Sequence, residues 1–399
     1  MIKRKSAMNI SQKNKHKLSP EIIIFLVFVV VTFVVGIIAG RSSNTYLEGF
    51  MNQHVKSDNM FLELLNFYMI FIIFGLGFVT HIVIHEAGHL IFGLMTGYSF
   101  VSFRIGSLTF IKENKKWKLK KFNIPGTAGQ CLMMPPDLDD GNFPLVIYNL
   151  GGVIMNLITA IAAILIAIFA KGITYPIDAI LVIFGAAGIL IAITNGVPIR
   201  ILRVPNDAYN VLSLLKSEDS RNAFYLQLKV NGLQSQGTRI KDMPLEIFKL
   251  KENVDLCNPL NTSIRLMEYT WYLDNMDFYR AKQCIDSFVP YIDKVVSIFK
   301  FEINCERIFL EITNNCDKTF IDDLYDKNLK KYIKAAKFMI GKKRLLMAYE
   351  GFYNKDKIKA LKYYEETKQL AKSYPVKGEA DMELMLVDWI KENLDDIIV

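Results

Sequence analysis

Histidine is scarce in this chain, with five among 399 residues, and three of the five are His81, His85 and His89. His85 and His89 are four positions apart, so on a helix they share one face, one turn from each other. Two imidazoles in that relation can hold one tetrahedral Zn²⁺, and Glu86 can reach a water that the metal activates. Residues 85–89 read His-Glu-Ala-Gly-His, the H-E-x-x-H pattern, inside an apolar run. The plainer alternative is an apolar helix whose histidines pack against neighbours. Burying two imidazoles and a carboxylate in a lipid-bounded helix is costly without a purpose, which favours the chemical reading.

The elements that must position these groups are membrane spans. The chain is 51% hydrophobic and carries several long uncharged runs, more than an ordinary soluble protein needs. Its net charge of +8 is modest and sits in short basic stretches beside the apolar runs. That pattern indicates topology and contact with anionic lipid, not nucleic acid. The five cysteines are scattered and form no C-x-x-C pair, so reduced thiols facing the cytoplasm are the simplest account.

Residues 1–20 are basic, with Lys3, Arg4, Lys5, Lys13, Lys15 and Lys17 and no acid. The uncharged run 22–39 is longer than a usual signal-peptide core, so it is expected to be an uncleaved span with a cytoplasmic leader. After a linker, the second span starts near Leu64 and its helix is expected to run through the histidines to about Thr96. Residues 98–104, 107–111 and 117–122 alternate as strands do, with loop signals at 124–130 and at Pro135-Pro136. Arg104 and six lysines from Lys112 to Lys121 place this loop on the cytoplasmic side. Residues 143–170 and 179–199 read as the third and fourth spans, with Arg200 and Arg203 directly after. Beyond Asn210, mixed charge and helical spacing of apolar residues indicate a soluble helical domain. Within it, 269–288 and 349–371 resemble each other, either as tetratricopeptide-like helix pairs or as ordinary helical hairpins. The expected fold is thus mainly α and polytopic: four transmembrane helices, a small membrane-associated β-hairpin or sheet, and a helical tail. Residues 1–59 are the leader, first span and linker, 60–209 the membrane core, and 210–399 the cytoplasmic tail. Both termini face the cytoplasm.

A catalytic zinc takes three protein ligands and keeps one position for water. The second and fourth spans run in the same direction, so the motif and the end of the fourth span reach the same depth. Asp207, in Pro-Asn-Asp-Ala, is therefore the leading third ligand. Asp137, Asp139 and Asp140 in the cytoplasmic loop are alternatives, or else form a solvated acidic turn. His81 lies one turn back on the same face. As a fourth ligand it would close the site to water, so it reads as a helix-face residue or one supporting the ligands.

With these residues in view, the chain resembles the site-2 proteases, the intramembrane zinc metalloproteases of peptidase family M50. His85-Glu86-Ala87-Gly88-His89 is the first motif. Gly152-Val153-Ile154-Met155-Asn156, preceded by Gly151, is similar to the family's G-x-x-x-N segment. Asn195-Gly196-Val197-Pro198 followed by Asp207 is similar to its N-x-x-P with a later aspartate. The family's aspartate sits closer to the proline and usually precedes glycine; here 199–204 lengthen the gap and Ala208 follows. The resemblance covers roughly 60–215 and implies Zn²⁺ held by His85, His89 and Asp207, with Glu86 as general base. Asn156 would then orient the peptide or stabilise the oxyanion, though a buried amide can equally tie two helices together.

The function so implied is metal-dependent endoproteolysis of a membrane-embedded peptide or protein, at the cell membrane, with the tail free to bind a protein partner. A catalytically inactive metal-binding scaffold is the alternative, disfavoured because a pure metal anchor has no need of Glu86. A metal transporter is disfavoured by the asymmetry of the spans and their few intramembrane acids.

Overall fold

A computed structural model describes residues 60–113, 116–122, 128–138, 142–173, 176–201, 204–252 and 254–394. The expected leader and first span lie outside these, as do Lys115, Asp139, Asp140 and Arg203. Three described helices are long and apolar enough to cross a membrane, over Tyr68–Met95, Leu145–Phe169 and Ile177–Gly196. They coincide with the expected second, third and fourth spans, and the chain is a multi-pass membrane protein.

The chain sorts into two compact units whose boundary falls inside helices: residues up to Phe78 with Leu157–Tyr209, and Val79–Asn156 with Asn210–Val399. The first unit holds the start of α1 (Met60–Met95), the second half of α2 (Leu145–Phe169) and all of α3 (Ile177–Gly196). Small residues bring these helices close. A Cβ on Gly77 would sit 3.4 Å from Phe184 Cα, and one on Gly185 would sit 2.9 Å from the Ala160 carbonyl. After α3 the chain makes a two-rung antiparallel ladder, β5 (Arg200–Ile201) with β6 (Val204–Pro205). It then enters α4 (Asp207–Lys216). The residues that lengthen the gap between Pro198 and Asp207 are this ladder. It folds the insertion back on itself, and Asn206 N–H donates to the Ile199 carbonyl at 3.2 Å.

In the second unit α1 ends in a Schellman motif. Gly97 takes φ +85°, Tyr98 N–H donates to the Gly93 carbonyl at 3.0 Å and Gly97 N–H to Leu94 at 3.3 Å. The chain turns at once into a four-stranded antiparallel sheet of order β3-β2-β1-β4. Its strands are β1 (Ser99–Ile105), β2 (Leu108–Glu113), β3 (Lys116–Lys121) and β4 (Gly129–Met134). Gly106 at φ +56° makes the β1–β2 turn. The first three strands match the sequence expectation, whereas β4 corrects it, because its first residues fall within the loop signals at 124–130. Gly-Gln-Cys-Leu-Met-Met lacks polar alternation, with Cys131 and Met133 buried and Leu132 and Met134 partly so; its partner β1 makes it a strand.

The tail of this unit is helical: α5 (Glu218–Ser235), α6 (Pro259–Asp274), α7 (Phe278–Asp286), α8 (Ser297–Ile312), α9 (Lys318–Leu324), α10 (Lys327–Ala335), α11 (Ile340–Ala348), α12 (Lys357–Ser373) and α13 (Lys377–Asn393). Three of these helices begin alike. Met276, Cys316 and Lys355 adopt positive φ, and each precedes an aspartate, Asp277, Asp317 or Asp356, that caps the next helix. The fourth residue after each cap, Ala281, Ile321 or Ala360, is fully buried. The caps stand 40 and 39 residues apart. Helix α5 joins tail and sheet: Gly232 packs on Met134, Leu228 enters the Tyr98–Met133–Tyr148 cluster, and Lys229 pairs with Asp137 at 2.7 Å.

Candidate metal centre

His81, His85 and His89 lie on one face of α1 and are buried, and the carboxylate-bearing Glu86 beside them is partly so. Glycines on the facing elements make room for the motif. A Cβ on Gly151 would meet the Gly88 carbonyl at 2.7 Å, so α1 and α2 touch backbone to backbone. A Cβ on Gly152 would sit 2.5 Å from the His85 ring, and one on Gly129 would sit 2.7 Å from Glu86 Cγ. Thus α2 seats an imidazole and β4 seats the neighbouring carboxylate.

His89 Nδ1 lies 2.8 Å from the Tyr148 carbonyl. A carbonyl only accepts, so Nδ1 carries the proton and Nε2 keeps its lone pair. Tyr148 is itself fixed by stacking on Tyr98, with ring centroids 4.4 Å apart. Asn156 is fully buried and bridges two histidines, its amide lying 3.1 Å from His85 Nδ1 and 3.2 Å from His81 Nδ1. The amide's two ends are interchangeable by rotation. With Oδ1 toward His85, it accepts from Nδ1–H and leaves His85 Nε2 as a second lone pair.

The two Nε2 atoms are 3.2 Å apart, with rings at 83°. Two nitrogens on a tetrahedral zinc stand about 3.3 Å apart at ordinary Zn–N lengths. One donor atom from each of His85, His89 and Asp207 lies within 4.8 Å of the others, the one such group of three among the described residues. The residues present therefore fit a zinc ion. Asp137 belongs to no such group: its carboxylate is 94% exposed and paired with Lys229, which holds it below the usual carboxylate range.

Asp207 is placed by a residue that the sequence reading passed over. Asn206 donates from Nδ2 to the carbonyls of Thr194 (2.7 Å) and Val197 (2.6 Å), and its Oδ1 accepts from Ile199 N–H and Tyr209 N–H. It closes the end of α3 and caps α4 together. An asparagine directly before a helix start is a cap signal, and that was the clue available. Asn195, by contrast, bonds within its own helix, to the Ile191 carbonyl.

From sequence, Arg104 belongs with the basic residues that set the topology of this loop. It is instead 2% exposed on β1, donates to the Gly106 carbonyl at 2.9 Å, and feels the charge of Glu86. Burial holds its guanidinium below the ordinary range, against the opposing pull of that carboxylate. Burial also pushes the Cys131 thiol up to about 12, with Glu86 adding to the shift, so this cysteine is a neutral packing residue.

No curated protein and no solved structure matches the chain. The family model of Peptidase family M50 matches residues 71–354. The match is wider than the motifs alone covered, running from inside the first described span deep into the helical tail. Over so much of its length, and with its metal-binding geometry in place, this chain belongs to Peptidase family M50 and is a membrane zinc metalloprotease.

Proposed function

We propose that the protein is an intramembrane endopeptidase that hydrolyses a peptide bond of a membrane-embedded or membrane-associated protein or peptide. The observation that carries the proposal is the convergence of His85, His89 and Asp207 beside Glu86. In this reading the three residues would hold Zn²⁺, which would supply the Lewis acidity that makes a water nucleophilic near neutral pH. Glu86 takes the proton from that water and passes it to the leaving amine. Asn156 acts through His85, presenting Oδ1 to Nδ1–H so that Nε2 would keep its lone pair for a metal. Besides orienting the peptide or stabilising the oxyanion, Asn156 is proposed to hold the imidazoles, and its two histidine neighbours support that role.

A substrate helix hides its carbonyls and must unwind to be cut. Strand β4 is an outer strand of the sheet, and its Gly129 lies against Glu86. An extended substrate segment added alongside β4 would pass the general base with its backbone hydrogen-bonded. The membrane core (60–209) does the chemistry. The tail (210–399), with its three similarly capped helices, is proposed to be a hairpin array that recruits a protein partner. Both lie with the termini toward the cytoplasm.

Two variants test the proposal in the reconstituted full chain. Glu86→Gln is expected to retain zinc and lose cleavage of a single-span substrate by at least about 10³-fold. Cleavage at the normal rate would sink the general-base role. Asp207→Ala is expected to lower zinc content measured by mass spectrometry; an unchanged content would move the third ligand elsewhere. An inactive scaffold would show the zinc without any cleavage by the unmodified protein.

A further inference from the structure

Helix α10 is capped by Asp326, whose carboxylate accepts from Leu329 N–H at 2.7 Å. Leu329, Ile333 and Ala336 form its inner row and are 1%, 3% and 4% exposed. Lys327, Lys330, Lys331 and Lys334 of this helix, and Lys337 two residues past its end, are all exposed, and no acid interrupts them; Lys330 lies 4.8 Å from the centre of the Tyr325 ring. A solvated helix face normally interleaves opposite charges at i+3 or i+4. Elsewhere in this tail opposite charges meet: Lys282 pairs with Asp286 and Lys359 with Asp356 at helical spacing, and Lys251 with Asp219 and Lys300 with Asp293 over longer separations. Among the described residues, none of the five α10 ammonium groups has a carboxylate within ion-pair distance. Five like charges on three turns repel one another, so the face is built for an external anion.

The neighbourhood indicates what that anion belongs to. Lys337 precedes Phe338, and Lys121 precedes Phe122; the two rings meet edge-on at 5.8 Å. The end of α10 is therefore joined to the end of β3. On the outer row of β3, Trp117 and Leu119 are 64% and 58% exposed, beside Phe110 (44%) and Leu108 (43%) of β2. Phe110 stands opposite Leu119 in register, and Leu108 opposite the exposed Lys121. Contiguous exposed aromatic and aliphatic side chains bordered by lysines suit a lipid interface better than a nucleic acid or an acidic protein. We propose that the lysine face of α10 docks on the anionic leaflet of the membrane that this chain spans. The tail is thereby held flat against lipid next to the sheet, instead of hanging free in solvent.

The test uses the full chain in nanodiscs made either of phosphatidylcholine alone or of equal parts phosphatidylcholine and phosphatidylglycerol. Acylation of individual lysines is followed by mass spectrometry, with Lys251 and Lys300 as internal controls. The α10 lysines are expected to react about fivefold more slowly in the anionic discs, with the controls unchanged. Molar salt should restore the rate, because screening shortens the reach of the leaflet's field to a few ångströms. Equal rates in the two discs would overturn the proposal. So would equal protection in neutral discs from added inorganic phosphate, or protection that needs an added protein fraction. A variant with all five lysines changed to glutamine should lose the lipid-dependent protection of α10 amides from hydrogen exchange. Protection that persisted unchanged would count against the proposal.

Discussion

At the scale of single residues, the site depends on atoms that are missing. Gly152 has no Cβ where the His85 ring lies, and a methyl there would stand 2.5 Å from the imidazole. The ring is held on its far side by Asn156, so it must tilt away from the shared donor position. Gly152→Ala is accordingly expected to lower zinc affinity about 10–100-fold, as loss of a ligand's orientation does. Titration of zinc-stripped protein with the metal measures this, and an unchanged affinity would mean that His85 needs no such seat. His85 and His89 stand out in the sequence, because scarce residues at helical spacing carry strong information, whereas Asp207 is reached only through topology and the resemblance. The supporting groups were legible only in part. The resemblance picks out Gly152 and Asn156, but no spacing tells that Gly152 makes room for an imidazole, and Arg104 looks like one more cation in a basic loop. Only the strand register puts Arg104 on the buried face of the sheet, within reach of the field of Glu86.

At the scale of elements, periodicity predicted what local sequence controls. The three described spans begin and end within a few residues of expectation, because length and the absence of charge decide them. Strand β4 escaped because its two faces are both at least partly buried and so do not alternate; pairing with β1 defines it. In the tail, 269–288 and 349–371 resemble each other in sequence, whereas the similarly capped helix start at Asp317 does not stand out. Its fourth residue is isoleucine where the others have alanine, and its helix α9 is short. The tail also carries a pH-sensitive group. Glu379, at the start of α13, accepts from the Tyr374 hydroxyl at 3.0 Å and has Glu383 and Glu302 near, with Lys342 opposing them. Burial and those carboxylates push it up to about 7. The folded value exceeds the unfolded one, so this group's stabilisation is complete below about 4.5 and is lost as pH rises through 7. Glu379 is partly exposed, which trims the full conversion to on the order of 2 kcal/mol. Glu379→Gln should remove that slope. The opening free energy of α13 amides, read by hydrogen exchange on the full chain, should be higher than in the unmodified protein at pH 8 and similar at pH 5. Parallel pH profiles for the two proteins would show that Glu379 titrates normally.

At the scale of the whole molecule, orientation follows from where charges can remain in water. Arg104 drops out of the topological count because it is buried, yet Lys112, Lys118 and Lys121 remain exposed on the connection between α1 and α2. The connection between α2 and α3 carries a single basic residue, Lys171. Two successive spans joined by so short a turn return the chain to the side of the membrane it left, so Arg200, directly after the second of them, is expected on the same side as those lysines. Basic residues near span ends stay in the cytoplasm, so sheet, metal-site aspartate and tail are expected to share it. Trypsin gives a direct reading, because the exposed lysines of α10 are cleavable only where the protease can enter. Added to intact right-side-out cells, it should leave the tail whole. Added to inverted vesicles in enough salt to lift any lipid contact, it should release fragments cut between Lys327 and Lys337. Fragments from the intact cells would reverse the topology, placing the tail and any partner it binds outside. A substrate segment would then have to enter the site from the opposite face of the bilayer.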